Sequence, residues 1–293
     1  METIGVVGMG FVGTAVNEGM KHAFKVRWYD KYKKPDGPDK ACCDSLKDLL
    51  YSCDGPIFVC VPTPMVISED PWSGGAGSCC TDIVRSVLAE LNQLSKISKI
   101  KPVIVIKSTV PPGTTEECND KYEHIQIVFN PEFLRETSFI ADFKNQDRII
   151  IGGPHEATAI VKQMYQTAYP NVQTTKTSST IAEMVKYVTN CFLATKVSFA
   201  NEIAELCGKL QIDYDKVIEY ATKDKRLGTS HWSVPGPDGS VGFGQKCFPK
   251  DLNALVYLAI ELGVDPKVMR AAWEKNLQVR HERDWEKIPG ATI

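Results

Sequence analysis

The chain has 293 residues, enough to bury a large core in one domain or two. Its 43% hydrophobic and 24% charged content is ordinary for a globular protein, and a formal net charge of −2 argues against a broad nucleic-acid-binding surface. No apolar stretch is long enough to span a bilayer, and no basic segment leads into an apolar one at the start. The expectation is a cytoplasmic protein with neither a membrane nor a nucleic-acid partner. Ten cysteines without any C-x-x-C spacing read as reduced thiols, most of them small core side chains, and no metal site is expected.

The chain enters on a short apolar run at residues 4–7, which reads as a buried strand. Gly8-Met9-Gly10-Phe11-Val12-Gly13 follows at once and opens a helical pattern over residues 13–21. Residues 26–29 form a second strand-like run, and Asp30 stands at its end. Further apolar runs come at 56–61, 103–107, 125–129 and 148–151, with a helical pattern over 81–94 between two of them. Several are continuous rather than alternating, as parallel strands covered on both faces require. Strand and helix in alternation predict a doubly wound α/β domain over residues 1–175.

After residue 175 the rhythm changes. Residues 178–210 contain no proline and one glycine, and Ile181, Met184, Val185, Val188 and Phe192 recur at helical spacing. That predicts one long helix. A turn-rich stretch over 227–244 follows, and residues 249–280 are helical again. The fold class expected is α/β: a Rossmann-type doubly wound parallel sheet, then a helical domain over 176–293 built on a long central helix.

A G-x-G-x-x-G run is weak evidence alone, but here it joins a strand to a helix and has an acidic residue at the end of the next strand. That context is a dinucleotide site. Gly8, Gly10 and Gly13 allow the turn and the close approach of a pyrophosphate, and Phe11 and Val12 bring the helix N-terminus to its charge. Asp30 would accept hydrogen bonds from the adenosine ribose, which favours NAD over NADP; Lys34 is placed with these cofactor contacts. Val61-Pro62-Thr63-Pro64 and residues 107–114 sit at strand ends where such folds bind ligands. They read equally as strand-ending turns or as cofactor contacts through Val61, Thr63 and Thr109.

Cys247 lies just ahead of Pro249, a good first residue of a helix, so the sequence sets the thiol near a helix N-terminus, where its pKa falls. A thiolate can trap an aldehyde, and so lets an alcohol be oxidised to a carboxylate in two hydride transfers. Lys186 and Asn190 are spaced i, i+4 on one helix face and can stabilise an oxyanion, or serve as a solvated face. Glu132 and Glu136 have the same spacing if helical.

Five segments together resemble the UDP-glucose/GDP-mannose dehydrogenase family: the glycine loop, residues 107–114, Asn130-Pro131-Glu132-Phe133-Leu134-Arg135-Glu136, Ala182-Glu183-Met184-Val185-Lys186-Tyr187-Val188-Thr189-Asn190, and Gly242-Phe243-Gly244-Gln245-Lys246-Cys247-Phe248-Pro249-Lys250-Asp251. The cysteine segment is most similar to the UDP-glucose branch. The resemblance implies NAD as cofactor and oxidation of a nucleotide sugar, UDP-glucose to UDP-glucuronate. It implies Cys247 as nucleophile, Lys186 and Asn190 at the oxyanion, Asp251 as acid/base through water, and Glu132 with Thr109 at the hydrolytic water. Substrate contacts would come from Phe133, Leu134, Arg135 and Glu136, from Gly242, Phe243 and Gly244, from Lys186 and Asn190, and from Arg226 of a neighbouring subunit. Glu136 and Lys250 would also face the cofactor. A homodimer through the long helix is implied as well.

Family members usually continue into a third α/β domain, so a short form is expected here. Gln245 and Lys246 depart from the glycine and small residue usual before the cysteine, and Lys246 is expected to lower the Cys247 pKa. Two other functions fit parts of the pattern: a two-electron β-hydroxyacid-type dehydrogenase, which would use the lysine and asparagine without the cysteine, and a non-catalytic subunit that binds NAD or a nucleotide sugar.

Overall fold

The computed structural model describes residues 1–35, 37, 39–69 and 77–293. The chain divides into two compact units, Met1–Thr63 with Thr81–Lys186, and Pro64–Cys80 with Tyr187–Ile293.

The first unit is a seven-stranded sheet: β1 (Thr3–Val7), β2 (Lys25–Tyr29), β3 (Ile57–Val59), β4 (Val103–Ile106), β5 (Gln126–Phe129), β6 (Arg148–Gly152) and β7 (Gln173–Thr177). Their order is β2-β1-β3-β4-β5-β6-β7, with helices α1 (Phe11–Met20), α2 (Leu46–Ser52), α3 (Asp82–Ser98), α4 (Thr114–Lys121), α5 (Phe139–Lys144) and α6 (His155–Ala168) in the connections. A one-residue parallel bridge, Trp28 to Cys42, carries the sheet one step beyond β2. The sheet is of the Rossmann type, and its direction of winding reverses at β1 and β3. The crevice beyond the carboxyl ends of those two strands is where such sheets bind ligands.

The continuous apolar runs are explained by β4. Val103 and Val105 enter one core with Ile4, Val6, Phe58 and Tyr165, while Ile104 and Ile106 enter the other with Leu49, Leu88 and Phe129. Each face of the strand therefore has its own hydrophobic layer.

Two expectations need correction. The sheet is not wholly parallel: β5 and β6 pair antiparallel through Phe129 and Gly152, because the connection between them turns back through residues 130–138 and the six-residue α5 instead of completing a full helical crossover. The run at 56–61 also keeps only Ile57–Val59 as strand. β7, Gln-Thr-Thr-Lys-Thr, escaped the apolar reading because it is a polar, half-buried edge strand.

Helix α7 (Ser179–Leu210) begins in the first unit and continues in the second, as expected of one long helix. Its buried line carries Ala182, Glu183, Lys186, Tyr187, Asn190, Cys191 and Ala194. The apolar residues that gave the helix away lie largely on the other side: Ile181 and Val188 are 56% exposed and Phe192 66%, and Phe199 and Leu206 continue the stripe.

In the second unit, α7 is joined by α8 (Tyr214–Ala221), α9 (Cys247–Glu261) and α10 (Lys267–Val279). The single helical stretch expected over 249–280 is two helices, broken where Gly263 takes a positive φ of 74° and Pro266 caps α10. The core of this unit gathers Met65, Tyr187, Phe243, Leu252, Trp273 and Trp285. Met65 and Ile67 pair with the backbone of Ala291 and Ile293, so the segment before residue 70 belongs to this unit and not to the sheet around it in sequence. No helix among the described residues is long and apolar enough to cross a membrane.

Trp273 is fully buried, with its ring 6.0 Å from Phe243 and 5.3 Å from Trp285. W273A should therefore cost roughly 3–5 kcal/mol and lower the midpoint of urea unfolding without changing the secondary structure seen by circular dichroism at low denaturant.

Candidate active site

The glycine loop leaves β1 at Gly8, whose φ is 89°. Its three glycines serve different ends. A Cβ on Gly8 would stand 2.8 Å from the Cys60 carbonyl oxygen, and one on Gly13 only 1.8 Å from that of Gly8, so both are required by the protein itself. A Cβ on Gly10 would meet nothing within 4 Å. The open space lies where α1 begins, and that helix has no side-chain cap and no acidic residue in its first turn. Its first N–H groups and positive dipole end suit a phosphate.

Asp30 grips the loop from the next strand: Oδ2 accepts from the Met9 N–H at 2.7 Å, and Oδ1 from those of Tyr32 and Lys33 at 2.8 Å. Burial opposes its charge, but the backbone N–H groups of Met9, Lys33 and Tyr32 outweigh that and hold the carboxyl below its ordinary value. Lys34 lies over the Tyr29 ring at 5.7 Å. Phe11 is exposed and meets Phe139 edge-on, while Val12 packs on the core. Beside the loop, at the end of β3, the Val61 carbonyl accepts from Ser108 Oγ at 2.7 Å, and Thr63 is buried.

Beyond the carboxyl end of β5, Lys186 and Glu132 form a buried ion pair. Lys186 Nζ donates to the Glu132 backbone oxygen at 2.7 Å and to Oε1 at 2.8 Å, and Glu132 Oε2 accepts from the Leu134 N–H at 2.7 Å. Burial works against the Glu132 charge, yet Lys186 with its hydrogen bond prevails and keeps the carboxyl below its usual range. The turn before Glu132 is held from beneath. Lys107 Nζ donates to Asn130 Oδ1 at 2.9 Å, Tyr165 OH donates to the same oxygen at 2.6 Å, and Asn130 Nδ2 reaches the Ile150 carbonyl at 2.7 Å. Burial lowers the Lys107 pKa to about 8.

Phe133 lies between cations, 5.7 Å from Lys186 Nζ and 4.4 Å from the Arg148 guanidinium. Leu134 packs on the core, and Arg135 is tied to Asp142 at 2.6 Å. Residues 131–135 are not helical, and Glu136 lies in the turn before α5, so the i, i+4 stacking of Glu132 on Glu136 is corrected. Pro131 and the bond that the Leu134 N–H donates back to Glu132 Oε2 keep this stretch out of a helix.

Thr109 sits half-buried on the loop that joins β4 to α4. Ser108 anchors the near end of that loop at Val61. Its far end is anchored by Glu183, which accepts from the Gly113 N–H at 2.7 Å and the Thr115 N–H at 2.8 Å.

In the second unit, Asn190 Nδ2 donates to Asp251 Oδ2 at 2.6 Å, and Lys250 Nζ meets Asp251 Oδ1 at 2.5 Å, all three buried. Burial alone would lower the Lys250 pKa, but the charge of Asp251, aided by Cys79 and Cys247, raises it above the ordinary lysine value. Cys247 is exposed and is itself the first residue of α9; Pro249 is the third, two positions further in than expected. None of the ten cysteines forms a disulfide. Lys246 Nζ donates to the Pro289 carbonyl at 2.9 Å.

The loop ahead of Cys247 rests on residues that sequence reasoning missed. Asn276 grips Phe243 from both sides, accepting its N–H at 2.7 Å and donating to its oxygen at 2.9 Å, and Asn201 accepts from Gly242 at 3.1 Å. Buried Arg280 joins Asp238 at 2.9 Å to Asp284 at 3.0 Å, and Asp284 accepts from the Gln245 N–H at 2.9 Å. A Cβ on Gly242 would stand 2.4 Å from Asn276 Oδ1, and one on Gly244 2.3 Å from Arg280, so packing demands both glycines. Only the i, i+4 placement of Asn276 and Arg280 in a helical stretch hinted at this, and the same spacing fits a solvated face. Arg226 stands apart: it is exposed and its guanidinium is held by Asp224.

A Rossmann-type sheet with an open loop at its reversal point, followed by helices that carry a polar cluster and a thiol, defines a dinucleotide-binding architecture. Residues 46–169 match the NAD-binding domain of the UDP-glucose/GDP-mannose dehydrogenase family, and residues 180–278 match its central domain. The chain belongs to that family. It is 39% identical over 186 residues to UDP-glucose 6-dehydrogenase TuaD of Bacillus subtilis, covering 61% of this chain and 39% of the relative. It is 37% identical over 232 residues to UDP-glucose 6-dehydrogenase of Pseudomonas aeruginosa, covering 75% and 48%. A UDP-glucose dehydrogenase structure from Pyrobaculum islandicum superposes with a TM-score of 0.81 at 28% identity over 95% of this chain and 68% of that one. The chain thus spans less than half the length of these curated relatives. NAD fits the residues present, since Gly10 is the one loop glycine whose missing side chain the protein does not need.

Gln245 has a φ of 61°, a left-handed conformation that costs a side-chain-bearing residue roughly 1–2 kcal/mol. Because glycine loses more entropy on folding, Q245G should gain roughly 0.5–1 kcal/mol in urea unfolding, whereas β-branched Q245V should lose at least about 1 kcal/mol.

Proposed function

We propose that this chain oxidises the primary alcohol of a nucleotide sugar to a carboxylate, with UDP-glucose as substrate and UDP-glucuronate as product. The observation that carries the reading is Cys247 at the first position of α9, where the dipole favours a thiolate, on the same helix as the buried Lys250–Asp251 pair. Sequence similarity to the UDP-glucose 6-dehydrogenases supports the choice of sugar.

Two molecules of NAD, held in turn by the glycine loop and Asp30, would each supply the hydride acceptor for one of the two oxidations. Asp251, oriented by Asn190 and Lys250, receives the alcohol proton through water. The Cys247 thiolate adds to the resulting aldehyde as a thiohemiacetal, which keeps it from escaping. Loss of the second hydride leaves a thioester on Cys247. Glu132, ionised against Lys186, accepts a proton from the water that attacks the thioester while Thr109 positions that water; the carboxylate leaves and the thiolate returns. Lys186 and Asn190, one turn apart on α7, stabilise the oxyanions.

In this reading residues 1–175 bind NAD through the glycine loop, Asp30, Lys34, Val61, Thr63 and Thr109, with Glu136 and Lys250 facing the cofactor. Residues 176–293 carry the nucleophile. Phe133, Leu134, Arg135, Glu136 and residues 242–244 contact the sugar nucleotide. The exposed apolar stripe of α7 supports a homodimer, with Arg226 serving the diphosphate of the neighbouring copy. Ten cysteines with no disulfide among them favour a reducing compartment, and so the cytoplasm.

With UDP-glucose and excess NAD, two NADH should form per sugar consumed, and C247A should reduce the yield to at most one. A wild-type ratio of one would indicate a two-electron dehydrogenase, and no turnover across a panel of nucleotide sugars would indicate a binding subunit. On α7, the F192E substitution should convert a dimer to monomer in sedimentation velocity with little loss of folding stability, because Phe192 is exposed within the protomer.

A further inference from the structure

Glu183 has no part in the reaction set out above, although it is fully buried and lies three residues before Lys186 on α7. A buried carboxylate is costly unless its oxygens find donors. Here they find two, and both belong to one place. Oε2 accepts the Gly113 N–H at 2.7 Å and Oε1 the Thr115 N–H at 2.8 Å. These are the capping glycine and the second residue of α4, a helix whose start has no cap from its own sequence, since Gly113 has no side chain.

The loop bearing Thr109 runs between this point and Ser108, which is fastened to Val61 at 2.7 Å. Thr114 Oγ1 closes back on Pro111 at 2.6 Å, a local bond at the same end of the loop. Glu183 is the side chain of α7 that binds the backbone of that far end, while Thr180 reaches only the Glu116 side chain on α4. The first turns of α7 thus hold two segments at once: Glu183 holds the Thr109 loop, and Lys186 holds the Glu132 turn.

We infer that Glu183 is a positioning residue for hydrolysis, fixing the Thr109 loop at the height of α7 where Lys186 fixes Glu132. The inference rests on the reading that Thr109 and Glu132 serve the hydrolytic water. Its consequence is specific to one step. If the loop drifts, oxidation proceeds through both hydride transfers and the chain stalls as a thioester on Cys247.

The charge state of Glu183 makes the pin sensitive to pH. Burial, with Glu116 nearby, raises its pKa to about 7 against the opposing hydrogen bonds from Thr115 and Gly113. The groups around it are Glu116 on α4, which accepts from Thr180 Oγ1 at 3.1 Å, the Cys118 thiol one turn further along α4, and Lys186 on α7 itself. A protonated carboxyl keeps one good acceptor and loses the other, so the loop is held best above pH 7. Stability runs the other way. The folded chain holds this proton more tightly than the unfolded chain, so the Glu183 contribution to stability declines as pH rises from about 4.5 to 7.

The test compares wild type with E183Q and E183D at pH 6 and pH 8. Loss of one charged hydrogen bond should weaken amide protection at Gly113 and Thr115 by about tenfold in E183Q. Steady-state NADH formation should fall by about the same factor with kcat/KM for NAD unchanged. It should be preceded by a burst of two NADH per site, with the sugar-acyl adduct on Cys247 visible by mass spectrometry. E183D, which keeps the carboxylate, should recover part of both. Wild type at pH 6 should move toward E183Q, and E183Q should not change between the two pH values beyond intrinsic exchange. Should E183Q not fold, the wild-type pH series of protection and burst decides alone.

Unchanged protection at the two amides, or weakened protection with no burst and no loss of rate, overturns the inference. A wild-type chain that turns over yet never carries an adduct on Cys247, even when quenched within the first turnover, overturns the proposed reaction instead, and amide protection still decides the pin.

Discussion

The buried pair between Lys186 and Glu132 is the constraint on which the geometry of the first unit's polar cluster depends. Two opposite charges are withdrawn from water, and each is satisfied almost wholly by the other and by backbone. Such a pair adds little net stability, because desolvation consumes most of the attraction, but removing one partner would strand the other at a cost of about 3–5 kcal/mol. Its effect is geometric. Lys186 can reach Glu132 only if α7 is helical from its first turns and if residues 130–135 are extended, and the Asn130 network with Lys107 and Tyr165 enforces the second condition.

The second unit solves the same problem with different parts. Asp251 is flanked by an amide and an ammonium, and the loop before Cys247 lies on Asn276 and Arg280 with no room for side chains on Gly242 or Gly244. Glycines that a family comparison assigns to substrate are, in this fold, first demanded by packing. The N–H groups of Gly242, Phe243 and Gln245 are already taken by Asn201, Asn276 and Asp284, so the floor beneath the loop fixes its backbone as well as its packing.

Most of the sheet and the glycine loop were legible because their signals are local. Apolar runs such as residues 103–107 and a helix-opening G-x-G-x-x-G state their conformation within a few residues. The antiparallel entry of β6 and the polar edge strand β7 were not legible, since each is decided by partners distant in sequence. Helix α7 is the instructive case. Its periodic apolar residues announced a helix, yet they mark the face turned to solvent in the protomer, while the buried line carries Glu183, Lys186 and Asn190. Periodicity reports that a helix has two faces and is silent on which one the protomer covers. Of the candidate site, Lys186 and Asp251 stood out by residue type and motif, and each lies in a buried ion pair. The supports of the site did not, because a buried Asn276 or Arg280 is indistinguishable by pattern from a solvated one.

The discontinuous second unit has a consequence for how the chain is made. Residues 64–69 emerge from the ribosome early, inside a stretch whose neighbours on both sides build the sheet, but their backbone partners at Ala291 and Ile293 and the Ser68–Tyr257 contact come far later. Such pairings raise contact order and slow the step that needs them. The sheet can condense while this segment waits as an unpaired apolar tether, exposing Met65 to solvent and to proteases until the last helices arrive. A nick there should be felt by the late-folding helical half and not by the strands that flank it in sequence.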